Sequence, residues 1–147
     1  MIYKYQLLKS SWGIVIVLDI QDLINPAILK SDRKILDNIF LRLSNNIKIN
    51  NAILYDWFSL AIQDLYNEIE VIISNDIICF EVDSVDYSHT DFQEEGLYYA
   101  MIGWLAQKYS ITVSDSDAYY SKETNNYVFP NLKIPPSVGR AANCEFS

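Results

Sequence analysis

The spacing of apolar residues changes period several times along the chain, and each change predicts an element. Residues 2–8 alternate, with Tyr3, Tyr5 and Leu7 set against Ile2, Lys4 and Gln6, and residues 13–19 form a β-branched apolar run. The pair predicts an N-terminal hairpin joined near residues 9–12. Asn25 followed by Pro26 marks a break, since Asn suits a helix cap and Pro the first helical position. Ser31 or Asp32 is then placed to cap a helix whose apolar residues, Ile35, Leu36, Ile39, Phe40 and Leu43, fall at three- and four-residue steps, with an end expected near Asn45 and Asn46. The next helix is the most regular. Leu54, Trp57, Phe58, Ala61, Ile62, Leu65, Tyr66 and Ile69 keep that spacing for about four turns.

The period then drops to two: Ile78, Phe80 and Val82 alternate with Cys79, Glu81 and Asp83, predicting a central strand over 76–85 with one face buried. Thr90 or Asp91 opens a further helix to about Lys108, with Glu94 three residues after Asp91 in the spacing of a capping box. Gly96, Ala100 and Gly103 lie on one side of it. A glycine inside a helix costs about 1 kcal/mol relative to alanine, so close packing on a sheet or neighbouring helix is the expected compensation. Tyr119, Tyr120, Tyr127, Val128 and Phe129 flank the turn-forming Thr124, Asn125 and Asn126, predicting a second hairpin. The order two strands, two helices, strand, helix, two strands shows no repeat or linker. It predicts one α+β domain over 1–147: an antiparallel or mixed sheet, about three helices packed mainly on one face, and an irregular proline-containing tail from about residue 134.

Composition agrees with a chain that folds unaided: 147 residues, 50% hydrophobic, with four glycines and four prolines. The longest uncharged, mostly apolar run, 97–106, falls well short of the roughly 20 residues that span a bilayer, so no membrane helix is expected. The first 19 residues alternate and are interrupted by Lys9, Ser10 and Ser11, unlike a secretory signal. Cys79 and Cys144 make neither a disulfide framework nor a zinc pattern, which favours a cytoplasmic address.

Charge changes the picture most. The net charge of -8 argues against nucleic acid or an anionic membrane as partner. Residues 1–48 hold seven bases and four acids, and residues 108–147 hold four of each; residues 49–107 hold eleven acids and no Lys or Arg. Asp64, Glu68 and Glu70 crowd the end of the long second helix, where the dipole disfavours negative charge, and Asp64 and Glu68 repel at the four-residue spacing. Two accounts are open. Either Arg33, Lys34 and Arg42 of the preceding helix pair with these acids, or the middle of the chain keeps an acidic surface for a basic partner.

Candidate chemistry is sparse. The four glycines are scattered, which excludes the familiar phosphate loops, and the single histidine, His89, follows no nucleophile pattern. Asp83, Asp86, His89 and Asp91 are the best enzyme-like cluster, a possible divalent-metal site for a small hydrolase, against a reading as a turn followed by a helix cap. No catalytic residue, cofactor or metal is therefore assigned. Eleven tyrosines include the adjacent pairs Tyr98–Tyr99 and Tyr119–Tyr120, which cannot all point inward, and tyrosine is favoured at protein interfaces.

The stretch Asp91, Phe92, Gln93, Glu94, Glu95, Gly96, leading to Ala100 and Trp104, resembles small bacterial immunity proteins encoded beside polymorphic or contact-dependent toxins, over about a fifth of the chain. That resemblance implies a non-enzymatic protein that binds and neutralises a basic toxin domain. From charge and aromatic content, the expected partner-binding residues are Asp56, Asp64, Glu68, Glu81, Asp83, Asp86, Tyr87, Asp91, Glu94, Glu95 and Tyr98. A secretion chaperone or adaptor, which would expose an apolar groove, and the metal-dependent hydrolase are the alternatives.

Overall fold

The alternating segments form strands of a mixed sheet, and helices from two of the three segments with three- and four-residue spacing lie across it. In a computed structural model of the chain, which describes residues 1–10, 13–88 and 92–132, the elements run β1 (Ile2–Leu8), β2 (Gly13–Ile24), β3 (Arg33–Leu36), β4 (Ile39–Leu43), α1 (Asn51–Asp64), α2 (Tyr66–Ile73), β5 (Ile78–Tyr87), α3 (Glu95–Tyr109), β6 (Tyr119–Ser121) and β7 (Asn126–Val128). The five-stranded sheet has the order β1-β2-β5-β4-β3. Its β1/β2, β2/β5 and β3/β4 pairs are antiparallel and β4/β5 is parallel. The fold is α+β with a mixed sheet and three helices, and β5 is its middle strand.

One expectation is overturned. Residues 33–43 form a hairpin, β3 and β4, and not a helix. The apolar residues there satisfy two periods at once. Ile39 and Leu41 are buried while Phe40 and Arg42 point to the other side, which is the strand pattern. Asp37 and Asn38 occupy the two-residue turn, a position that favours such side chains. Long-range pairing of β4 beside β5 decides between the two periods, and no local pattern reports it. Other boundaries shift less. The predicted long helix is interrupted at Leu65 (φ -101, ψ 10), with α1 capped by the Asn50 side chain, which accepts from the Ala52 N–H at 2.8 Å. The third helix begins at Glu95, four residues after the expected cap; Thr90 and Asp91 lie outside the described residues, and Glu94 makes no side-chain capping bond.

The helices cover one sheet face. Ile14, Ile16, Leu18 and Ile20 of β2 are fully buried beneath them, with Ile39 and Leu41 of β4 and Phe80 and Val82 of β5. Each large side chain so buried contributes about 1.5–3 kcal/mol. The small residues of α3 have the expected cause. A Cβ added to Gly96 would come 2.8 Å from Ile14 Cγ2 and 2.9 Å from Ile16 Cδ1, and one on Gly103 would overlap the Tyr3 ring. Glycine lets α3 settle on β1 and β2. Beside it Trp104, fully buried, donates from Nε1 to the Met1 carbonyl at 2.8 Å and meets Phe80 edge-on at 5.7 Å.

The second hairpin, β6 and β7, forms as expected, with Asn125 in the turn at φ 54. Gln93 fastens it, accepting from Tyr127 N–H at 2.9 Å and donating to the Tyr127 carbonyl at 2.7 Å. The tail expected from about 134 lies outside the described residues. Among the described residues no helix is long and apolar enough to cross a membrane.

Candidate functional site

The acids of the middle stretch divide between two surfaces on opposite sides of the sheet. Glu81 and Asp86 of β5 lie opposite Gln21 and Val17 of β2, so they project from the face that the helices leave open. Asp83 is the extra residue of a β-bulge, where Asp19 pairs with Ser84 and Ile20 with Val82. Burial, and then the charges of Glu81 and Asp19, push the Asp83 carboxyl above its ordinary value. Part of this charge is compensated: the Arg42 guanidinium reaches Glu81 at 3.3 Å, and the Met1 ammonium stands 3.9 Å from Asp19.

Arg42 also explains why the open face is partly roofed. It donates to both Asp32 oxygens, at 2.7 and 2.8 Å, and to the Ala27 carbonyl at 3.0 Å. These bonds draw residues 27–32 over Arg42, and the Asp32 side chain is fully buried. The guanidinium beside it, with the Leu29 N–H, holds the Asp32 carboxyl below its ordinary value.

The second surface is the seam between α1 and α3. Glu94 lies beside Glu95 and Asp56; burial and then those two charges push its carboxyl up, offset in part by the Trp57 indole. One turn along α3, Tyr98 donates its hydroxyl to Asp64 Oδ2 at 2.6 Å. Burial, and then this bond to Asp64, raises the Tyr98 phenol, so it stays protonated. Asp64 closes α1 with no basic residue in the last turn, the arrangement the helix dipole disfavours. Glu68 corrects an expectation: the interruption at Leu65 puts it in the first turn of α2, where the dipole favours it.

The basic residues expected to neutralise these acids are engaged elsewhere. Arg42 holds Asp32 and Glu81, Lys34 pairs with Asp37 at 3.3 Å, and Arg33 lies 4.6 Å over the Tyr55 ring. Among the described residues, none reaches Asp64, Glu68, Glu70, Glu94 or Glu95.

No family model, curated protein or solved structure matches the chain.

The eleven expected partner-binding residues therefore do not form one site. Asp56, Asp64, Glu94, Glu95 and Tyr98 gather along the α1–α3 seam, with Glu68 exposed on α2 beyond it, whereas Glu81, Asp83 and Asp86 belong to the open sheet face. Tyr87 packs on Phe92, ring centroids 4.6 Å apart. Asp91 and His89 lie outside the described residues, and among those described no group of three His, Cys, Asp or Glu is arranged to hold a metal ion. The residues of the immunity-protein resemblance that are described deeper in α3, Gly96, Ala100 and Trp104, are buried packing positions. The seam also includes residues outside the expected partner-binding set. Tyr99 stacks on Phe129 at 5.0 Å, and burial followed by the charges of Asp115, Asp117 and Asp64 pushes its phenol up. Asp115 and Asp117 sit in a segment of balanced charge, so a count along the chain passes over them.

Proposed function

We propose that the protein is a non-catalytic immunity protein that binds a basic toxin domain and occludes it through the carboxylates and tyrosines of the α1–α3 seam. The observation that carries this reading is that Asp64, Glu94 and Glu95 are reached by no Lys or Arg among the described residues, while Asp64 is held in place by a neutral phenol. A surface built this way costs stability in isolation and recovers it when a cationic surface arrives, and it also steers that partner in by long-range attraction. The seam is favoured over the open sheet face because Glu81 and Asp19 already have cations beside them.

The test is co-expression with the product of the neighbouring reading frame. A complex on gel filtration, rescue of growth, and an association rate that falls steeply with salt are expected. D64N/E94Q/E95Q should weaken the complex by tenfold or more, and D19N/D83N/D86N should leave it nearly unchanged. No complex and no rescue would remove the reading. A secretion chaperone or adaptor is the second reading, and the exposed Ile24, Ile28 and Leu29 favour it. In that case I24S/L29S would abolish client binding and the seam triple variant would not.

A further inference from the structure

Between the end of α1, the middle of α3 and the segment after α3 lies an open crevice of about 340 Å³. Asp64, at the end of α1, and Asp115, in the segment after α3, both line it, together with Tyr98, Tyr99, Ile102 and Val113. A second crevice shares Tyr99, Ile102, Val113 and Asp115 with it and is lined by Tyr5 of β1. The rings are locked to one another: Tyr98 meets Tyr99 edge-on at 4.8 Å, and Tyr99 is nearly parallel to Tyr5 at 6.3 Å.

The polar atoms are mostly acceptors. Tyr98 spends its one proton on Asp64 Oδ2, leaving its own oxygen and Asp64 Oδ1 to accept. Asp115 Oδ1 takes the Asp117 N–H at 3.0 Å and the Ser116 hydroxyl at 3.5 Å, and among the described residues Oδ2 remains to accept. The Tyr5 hydroxyl is buried and has no hydrogen-bond partner among the described residues, a costly state for a polar atom. Among the described residues no Lys, Arg or His lines this crevice, and Lys9, which lines the adjoining one, donates to the Ala118 carbonyl at 2.7 Å. Two carboxylates from different segments, beside aromatic walls, describe the complement of a forked cation. A guanidinium carries five donors and no acceptor, lies well against aromatic rings, and is less strongly hydrated than an ammonium.

We infer that this crevice seats an arginine side chain of the protein partner, with the guanidinium bridging Asp64 and Asp115. The inference rests on the reading of a basic protein partner and gives that partner a specific anchor, of the kind that dominates interface energetics.

An NMR titration of the full chain with N-acetyl-arginine amide tests it without the partner. Saturable shifts at the Ile102 and Val113 methyls are expected, weaker with N-acetyl-lysine amide and absent with the neutral citrulline analogue. D64N/D115N should lower the affinity about tenfold, as loss of charge-assisted bonds requires. Shifts spread over the acids of the sheet face, equal response to citrulline, or unchanged affinity in D64N/D115N would overturn the assignment. A toxin that binds D64N/D115N with full affinity would also overturn it and leave the proposed function standing. Arginine binding with no toxin complex would do the reverse.

Discussion

Replacing Asp32 by Asn tests the ion pair with the least exposed side chains among the described residues. The Asp32 side chain has no exposed surface, accepts two bonds from Arg42 and one from the Leu29 N–H at 2.7 Å, and closes residues 27–32 over the sheet. Removing one member of a buried pair costs about 3–5 kcal/mol when the other is left alone. Arg42 would not be alone, because Glu81 and the Ala27 carbonyl remain and the guanidinium is 16% exposed. Asparagine also keeps one acceptor. The expected loss is therefore about 2–3 kcal/mol at neutral pH, measured by urea unfolding. Its pH dependence follows from the lowered Asp32 value. A carboxyl held below its unfolded value contributes stability that is complete above the ordinary Asp range and is lost as pH falls through the depressed value. The wild-type and D32N curves should therefore converge in acid. The apolar double replacement D32L/R42M should cost less than D32N, since no charge is left buried. Parallel curves down to acid pH, or a neutral-pH loss under about 1 kcal/mol, would refute the argument.

Three further outcomes are expected. Asp83→Asn should stabilise the protein at neutral pH: with a raised value in the fold, the ionised carboxyl costs stability above the ordinary Asp range, and the gain should vanish as pH falls below that range in thermal melts. Gly96→Ala should lose about 1–2 kcal/mol in denaturant unfolding, because the clash with Ile14 and Ile16 outweighs a helix-propensity gain of at most about 1 kcal/mol. Cys79, buried and with its thiol pushed up to about 11 by burial and then by the Asp32 charge, should resist Ellman's reagent in mildly alkaline buffer and react fully in urea, measured in a C144S background.

Where local pattern and tertiary pairing agree, the elements were legible. The alternation of β1, the Ile78–Phe80–Val82 alternation in β5 and the regular stripe of α1 and α2 each point to one answer, and the glycines of α3 correctly announced close packing. Residues 33–43 were not legible because Ile35, Leu36, Ile39, Phe40 and Leu43 fit a helix as well as Ile39, Leu41 and Leu43 fit a strand. The Asp37–Asn38 turn was the available signal. The site divides in the same way. Asp64 and Tyr98 were singled out on separate grounds, charge at a helix end and an adjacent tyrosine pair. Their contact spans 34 residues of sequence, and nothing local encodes it.

That contact also changes what the acidic middle of the chain means. Eleven acids without a base look like one surface when counted along the sequence, but the open face of a sheet and the helices covering its other face cannot present a common surface. The open sheet face recruits Arg42 and the Met1 ammonium, and its remaining strain at Asp83 is a local stability cost. The seam recruits no Lys or Arg for Asp64, Glu94 or Glu95 among the described residues, although Arg33, Lys34 and Arg42 lie earlier in the same chain. What it has are phenols, which fix a carboxylate without discharging it. A fold indifferent to this surface would gain stability from a single lysine placed there. Retention of uncompensated charge beside ordered aromatic rings is what supports a cationic partner at the seam, and it is why stability and binding are expected to move in opposite directions there.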